Sequence, residues 1–188
     1  MPETPFVTLT AGYSHACGIS DNGDVTCWGN NSSGQATPPP GAFVQLDAGF
    51  NHTCGIQVGG ILECWGSDSS GQVSGVQPGT YAWVGAGGDN TCALDTDGFL
   101  SCWGEDTKGQ VSNAPLGPYA EVHVGWQWAC ALNEVGEAFC WGSDQFSQIT
   151  AAPAGGWDSL ALGAGHGCGY QGDTLSCWGY DGQGQASP

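Results

Sequence analysis

The chain has 188 residues, including 34 glycines, and its formal net charge is −17 because Lys108 is the single lysine or arginine against 18 acidic residues. This length suits one domain, and the negative charge disfavours nucleic acids and anionic lipid surfaces as partners. No apolar run approaches the roughly 20 residues of a membrane-spanning helix, so membrane insertion is not expected.

The sequence consists of five copies of one unit of 37 or 38 residues, each marked by a Cys-Trp-Gly segment. A fixed period of this size is typical of solenoids and propellers. We predict a single domain over residues 1–188, with repeats at approximately 5–41, 42–79, 80–117, 118–155 and 156–188.

Each copy contains short alternating runs bounded by Gly, Asn, Asp and Pro, which predict strands. The first strand is an aromatic-x-x-apolar segment such as Phe43 to Leu46. The second and third strands carry the two cysteines, and a weaker fourth strand is predicted after the Gly-Gln pair. Four short strands per repeat make one propeller blade. The fold prediction is therefore an all-β, five-bladed β-propeller with four strands in each blade.

The second and third strands predict a hairpin that brings the paired cysteines together. In the first copy, a three-residue loop ending in Gly23 places Cys17 opposite Cys27 and Ile19 opposite Val25. Cysteines at a non-hydrogen-bonded pair have a Cα separation that a disulfide accepts. The predicted disulfides are Cys17–Cys27, Cys54–Cys64, Cys92–Cys102, Cys130–Cys140 and Cys168–Cys177.

Ten cysteines with none left over favour disulfides and an oxidising compartment, so the predicted location is extracellular or at the cell surface. Reduced cysteines packed as small buried hydrophobes are the alternative. The closely spaced ligand pairs of structural zinc are absent, and no metal site is predicted. The N-terminal MPETPFVTL lacks the basic and long apolar parts of a signal peptide, so the location rests on the cysteines.

The Cys-Trp-Gly tryptophans are predicted to pack between blades, each facing the next blade along the chain. These residues are Trp28, Trp65, Trp103, Trp141 and Trp178.

The combination Gly-x-x-His-x-Cys-Gly-Ile, Cys-Trp-Gly-x-Asn and Gly-Gln resembles the repeats of the regulator of chromosome condensation family in their bacterial, cysteine-containing form. The resemblance covers essentially the whole chain and implies blades around a central axis. Many relatives have seven blades, so five copies imply either a closed five-bladed ring or an arc of a larger one. Five whole units favour the closed ring. The resemblance implies no single function, because propellers serve many.

The histidines two residues before the first cysteine lie opposite a glycine in the predicted hairpin. We expect His15, His52 and His166 to bond nearby backbone instead of forming a circle of metal ligands. No catalytic motif is found, so the chain is not expected to be an enzyme, and no cofactor is predicted. Asp-Thr-Asp-Gly at 95–98 leaves weak calcium binding open.

Departures from the repeat pattern mark candidate binding residues, because structure does not demand them. Tyr13, Phe50 and Trp126 follow a repeated glycine at a predicted loop, Trp83 stands in a column that is otherwise polar, and Trp128 replaces a histidine. Exposed aromatic residues stack on sugars or anchor protein partners. Packing on neighbouring loops is the alternative for these side chains.

These observations predict a secreted or cell-surface binding module without catalytic activity, which recognises a protein or glycan and is a monomer or weak oligomer. The alternatives are a lectin with repeated shallow carbohydrate sites and a protein inhibitor of an extracellular enzyme.

Overall fold

A computed structural model describes residues 5–187, which contain fifteen strands and no helix. The strands form five antiparallel sheets of three, so that each sheet is one blade and lies within one predicted repeat. The all-β, five-bladed prediction is confirmed. The strands are β1 Phe6–Ala11, β2 His15–Ser20, β3 Val25–Gly29, β4 Phe43–Ala48, β5 His52–Gln57, β6 Leu62–Gly66, β7 Tyr81–Ala86, β8 Asn90–Asp95, β9 Leu100–Gly104, β10 Glu121–Val124, β11 Trp128–Leu132, β12 Ala138–Gly142, β13 Ser159–Leu162, β14 His166–Gln171 and β15 Thr174–Gly179.

The fourth strand predicted for each blade does not form in the described residues, and a carboxylate or amide cap explains why. Asp68 Oδ1 accepts the backbone N–H groups of Val73 and Ser74 at 2.8 and 2.9 Å. Asp106 and Asp144 cap the following two blades in the same way. Because these N–H groups are bonded to a side chain, they are not available to a strand ladder.

The predicted hairpin register is confirmed. Cys17 pairs with Cys27 and Ile19 with Val25, and Gly23 closes the loop at a φ of +86°, where residues with a side chain are strained. All five predicted disulfides are present, with Cα atoms 4.0–4.1 Å apart, and the described residues contain no free cysteine.

The hydrophobic core lies between blades and joins two different surfaces. One is the leading face, formed in the second blade by Phe43, Leu46 and Trp65. The other is the trailing face, formed in the first blade by Cys17, Ile19 and their hairpin partners. The next three interfaces repeat this arrangement. Each three-stranded sheet is thereby covered by its neighbours, since a blade this small has no core of its own.

The tryptophan of each leading face also makes a hydrogen bond across the interface. Trp65 Nε1 donates to the backbone oxygen of Gln35 in the preceding blade at 3.0 Å. The prediction that these tryptophans face the next blade is therefore wrong, because their polar partner lies at the end of the preceding repeat. The equivalent bonds are Trp103 to Gln72 at 2.9 Å, Trp141 to Gln110 at 2.9 Å and Trp178 to Gln148 at 2.7 Å.

The expected closed ring is also wrong for the described residues, because the fifth and first blades leave their facing surfaces unsealed. Trp28 is 47% exposed, whereas the other four Cys-Trp-Gly tryptophans are 5–8% exposed. Phe6 and Leu9 are exposed, while their counterparts Phe43 and Leu46 are buried. The five blades form an open arc, since one repeated interface geometry does not bring the fifth blade back to the first.

Replacing Trp103 by Phe tests the hydrogen bond between blades. The substitution keeps most of the ring but leaves the buried carbonyl of Gln72 with the Thr91 hydroxyl as its one remaining side-chain donor, so we expect the free energy of unfolding to fall by about 1–2 kcal/mol. Trp28→Phe is the matched control and should change it by less than about 0.5 kcal/mol. Urea denaturation measures both. Equal effects of the two substitutions would contradict this assignment.

Candidate functional site

A cavity opens at one end of the arc axis, where the innermost strands of the blades end. Its volume is about 590 Å³, and all five blades contribute to its lining. Each blade supplies an axial glycine, five residues before its first cysteine, and the residue that follows it. We call this the axial cavity; its lining includes Tyr13, Phe50, Gly88, Val124, Trp126 and Leu162.

Close contact between axial glycines gives this end of the arc its shape. Gly12, Gly49 and Gly87 each lie against the carbonyl oxygen of the axial glycine in the following blade, with no room for a β-carbon. This close approach brings the residues after the glycines together. The structure thus gathers Tyr13 and Phe50 with the more distant Trp126 around one cavity, as their shared position in the repeat suggests.

Tyr13 and Phe50 form a stacked pair on one side of the axial cavity. Their ring centroids are 4.2 Å apart and the ring planes meet at 15°. Both loops are anchored on the next blade, since the Tyr13 N–H donates to Gly49 O at 3.4 Å and the Phe50 N–H to Gly87 O at 2.9 Å. Tyr13 is 73% exposed, whereas Phe50 is half-buried beneath it.

Trp126 lies over the third blade, where the equivalent residue is Gly88. A β-carbon at Gly88 would collide with the Trp126 indole, and the Gly88 N–H donates to Trp126 O at 3.2 Å. Trp126 is half exposed. The small residues Gly88 and Ala164 leave the cavity open beside the three aromatic side chains.

Two of the predicted binding residues lie elsewhere. Trp83, expected in an exposed column, is half-buried between the third and fourth blades, where its Nε1 donates to Val122 O at 2.9 Å. Trp128 is fully buried, and its Nε1 donates to Gly163 O at 2.9 Å. The prediction that Trp128 contacts a ligand is corrected, because its ring fills the interface between the fourth and fifth blades.

The histidine column is structural, although its partners differ from those expected. His15 Nε2 lies 2.8 Å from Thr53 Oγ1 in the next blade, and that hydroxyl donates to Gln35 O at 3.0 Å. Since the threonine proton is already used, the histidine Nε2–H must be the donor. His52 and Thr91 repeat this contact at 3.0 Å. His15 and His52 therefore reach backbone through a threonine side chain and do not bond it directly. A backbone bond of His166 stays a prediction.

His52 is held in its neutral form. Its Nδ1 is buried and has no hydrogen-bond partner among the described residues, so a proton added there would find no acceptor. Burial, followed by the charge of His15, lowers the pKa of His52 to about 4. Burial also lowers the pKa of His15.

Asp47 is a polar contact that the sequence reading did not identify. Its Oδ1 accepts the Thr10 hydroxyl of the first blade at 3.0 Å and the Ala48 N–H at 2.9 Å, and its Oδ2 accepts the Ala86 N–H of the third blade at 2.8 Å. One carboxylate thus joins three blades. Burial raises the pKa of Asp47, and the bond from Ala86 opposes that effect. The sequence offered one indication of this role, since the equivalent position in the other four copies is not acidic.

No group of three or more His, Cys, Asp or Glu side chains in residues 5–187 is arranged to hold a metal ion. At the Asp-Thr-Asp-Gly turn, Asp95 Oδ1 accepts the backbone N–H groups of Asp97 and Phe99, both at 2.9 Å. Weak calcium binding there stays a prediction. The same described range contains no helix long and apolar enough to cross a membrane.

The family model for the Regulator of chromosome condensation (RCC1) repeat matches residues 6–35 and 84–110. Each matched segment contains a disulfide hairpin, a Cys-Trp-Gly tryptophan and the glutamine whose backbone oxygen accepts a hydrogen bond from the indole of the next blade. Two of the five repeats, in the first and third blades, thus match the RCC1 repeat family. The chain's assignment to a bacterial, cysteine-containing type stays a prediction.

Solved structures support the same fold. The ectodomain of the receptor kinase CR4 from Physcomitrella patens is 30% identical with a TM-score of 0.81, covering 96% of this chain and 53% of that one. Human WBSCR16 is 16% identical with a TM-score of 0.80, covering 96% and 63%. Prp20p from Saccharomyces cerevisiae, described with its binding properties to Gsp1p and histones, is 16% identical with a TM-score of 0.77, covering 93% and 57%.

The chain spans less than two thirds of each of these three proteins. High similarity to part of a larger chain agrees with an open arc of blades. No curated protein sequence matches the chain.

The depressed pKa of His52 predicts a loss of stability in mild acid. Its neutral form is favoured on folding, so this stabilisation is complete above pH 6.5 and is lost as the pH falls towards 4. From pH 7.5 to 5 we expect a loss of about 2 kcal/mol from this group. His52→Gln keeps an N–H donor but cannot titrate, so urea denaturation should give it a correspondingly shallower pH dependence. Parallel curves for the two proteins would contradict this prediction.

Proposed function

We propose that this chain is an extracellular binding module that recognises a protein partner through the axial cavity. The observation that carries the proposal is the gathering of Tyr13, Phe50 and Trp126 from three blades around one opening. Five disulfides support an oxidising environment. Similarity to a receptor ectodomain supports the same location.

The exposure of these aromatic side chains favours a binding role over a packing role. The same repeat position holds Gly88 and Ala164 in two other blades, so the blade itself does not require an aromatic residue there. Large exposed aromatic rings supply contact area at low cost in side-chain entropy and are enriched among residues that dominate protein binding. Tyr13 is also pre-positioned by its stacking on Phe50.

Charge favours a basic partner. The chain carries a formal net charge of −17, and no charged side chain lines the axial cavity. A negative field steers cationic surfaces towards the protein, and a lysine or arginine near the faces of Tyr13 and Trp126 gains a cation–π contact. Inhibition of an extracellular enzyme would be one form of this protein binding.

A lectin is the second candidate, and the exposed ring of Tyr13 is the observation that favours it. Flat aromatic surfaces stack on the apolar faces of sugar rings as well as on protein side chains. The two candidates use the same residues and differ in the ligand.

Selection of cyclic peptides against the wild-type chain tests the site. We expect enriched peptides to carry lysine or arginine, and Tyr13→Ala and Trp126→Ala each to weaken their binding at least about tenfold, measured by biolayer interferometry. Leu116→Ala is the control, because Leu116 is an almost fully exposed apolar residue outside the axial cavity.

Peptides whose binding survives both axial substitutions would contradict the proposed site. A glycan array provides the second arm of the experiment. Glycan binding that is lost in Tyr13→Ala and Trp126→Ala, with no selected peptides at this site, would replace the protein-binding proposal with the lectin.

A further inference from the structure

The two ends of the arc carry the two halves of the interface that joins its blades. At the first blade the leading face is uncovered: Phe6 is 36%, Leu9 64% and Trp28 47% exposed. The equivalent residues of the other four blades are all buried. The ring centroids of Phe6 and Trp28 are 5.7 Å apart and those of Phe43 and Trp65 in the second blade 5.8 Å, so the same two rings are in contact on both faces. The exposed pair is stacked at 28° and the buried pair meets edge-on at 65°, so docking would turn one ring against the other.

The trailing face of the fifth blade is uncovered in the same way. Tyr170 and its hairpin partner Leu175 are 48% and 40% exposed. The corresponding position of Tyr170 in the other blades is occupied by buried apolar residues, namely Ile19, Ile56, Leu94 and Leu132. Cys168 is partly exposed, whereas the first cysteine of every other blade is fully buried.

The polar bond of the interface is also left open at both ends. Trp28 Nε1 has no hydrogen-bond acceptor among the described residues, while the other four Cys-Trp-Gly tryptophans each donate to a glutamine backbone oxygen. Gln185 is the glutamine of the fifth blade, and no indole donates to its backbone oxygen within residues 5–187. It is only half-buried, unlike the fully buried Gln35.

We propose that a second copy of this chain docks on the first through these surfaces. The leading face of one copy covers the trailing face of the other, with Phe6 and Leu9 over Tyr170 and Leu175, and Trp28 Nε1 donating to Gln185 O. The four internal interfaces supply the template, because each joins the same two faces with the same bond. This inference does not depend on the proposed function of the axial cavity.

The proposed interface has an alanine where two of the internal interfaces have a threonine that contacts a histidine. His166 would face Ala16 in the position where His15 faces Thr53. The third and fourth blades already tolerate such a pairing, since Asn90 there has no hydrogen-bond partner among the described residues and the threonine position across from it is Ala129.

The geometry and the charge of the chain set the character of the association. Because the two faces differ, the contact is head to tail and leaves one free face at each end, so assembly continues unless a ring closes. Each copy carries a formal net charge of −17, and this repulsion opposes association. Screening by salt should therefore strengthen it.

Sedimentation analysis of the wild-type chain between about 1 µM and about 500 µM tests the proposal. We expect the average mass to rise above 19.2 kDa with concentration, and to rise further when NaCl is raised from about 0.05 M to about 0.5 M. Trp28→Asp and Leu175→Asp should each reduce association at least about tenfold, because each places a charge in the apolar interface. Leu116→Asp is the control and should associate like the wild type.

Mixing the two blocked variants provides the sharpest outcome. Trp28→Asp retains a normal trailing face and Leu175→Asp a normal leading face, so an equimolar mixture should form dimers and nothing larger. Phe6→Asp and Tyr170→Asp repeat the design if either first variant loses its native circular dichroism. A wild-type chain that stays monomeric at all concentrations and salts would overturn the proposal. This includes a chain that buries Trp28 by contacts within a single copy. A mixture that forms no dimer would also overturn the proposal.

Discussion

The structure depends on an indole N–H that donates to the backbone oxygen of a buried glutamine in the preceding blade. Three-stranded blades of this size cannot bury both of their apolar faces alone. Each gains stability only when its leading face seats on the neighbour before it, and Trp65, Trp103, Trp141 and Trp178 fix that seating with one directed bond each. The disulfide hairpin serves this contact, because the cysteine pair locks the strand register that presents the tryptophan.

Two contacts that recur from blade to blade help to position neighbouring blades, and the proposed binding surfaces lie beside them. The tryptophan bond holds one part of each interface, and the close approach of axial glycines such as Gly49 and Gly87 holds the part nearest the axis. The residue after each axial glycine is required by neither contact. Its side chain can therefore vary, and in three blades it is Tyr13, Phe50 or Trp126. The uncovered faces of the first and fifth blades arise from the same repeated interface, which has no partner at either end of the arc.

Local features were predictable from the sequence because nearby residues determine them. The spacing of Cys17 and Cys27 around a loop ending in Gly23 is enough to set a hairpin, its register and its disulfide. The grouping of Tyr13 and Phe50 followed from their equal position in the repeat. The missing fourth strand was harder to anticipate, since one carboxylate, as at Asp68, takes the N–H groups that the strand would need.

Features that depend on the order of blades were not predictable. Trp28 and Trp65 stand in the same Cys-Trp-Gly motif, yet one is half exposed and the other buried, because within residues 5–187 only the second packs on a preceding blade. Trp128 was a candidate binding residue because it replaces a histidine of the repeat, but Gly167 in the next blade leaves the space that its ring fills. Comparing each large residue with the small residue opposite it in the next repeat, such as Trp128 with Gly167, was therefore the way to predict its burial from the sequence.

Hydrogen exchange of the indole N–H groups, followed by nitrogen-15 NMR, tests the central claim most directly. We expect the indole protons of Trp65, Trp103, Trp141 and Trp178 to exchange slowly, at rates set by opening of the blade interfaces. The indole of Trp126, which is half exposed, should exchange rapidly and serves as the internal reference. Exchange of the four interface indoles as fast as that of Trp126 would contradict the claim that these bonds hold the blades together.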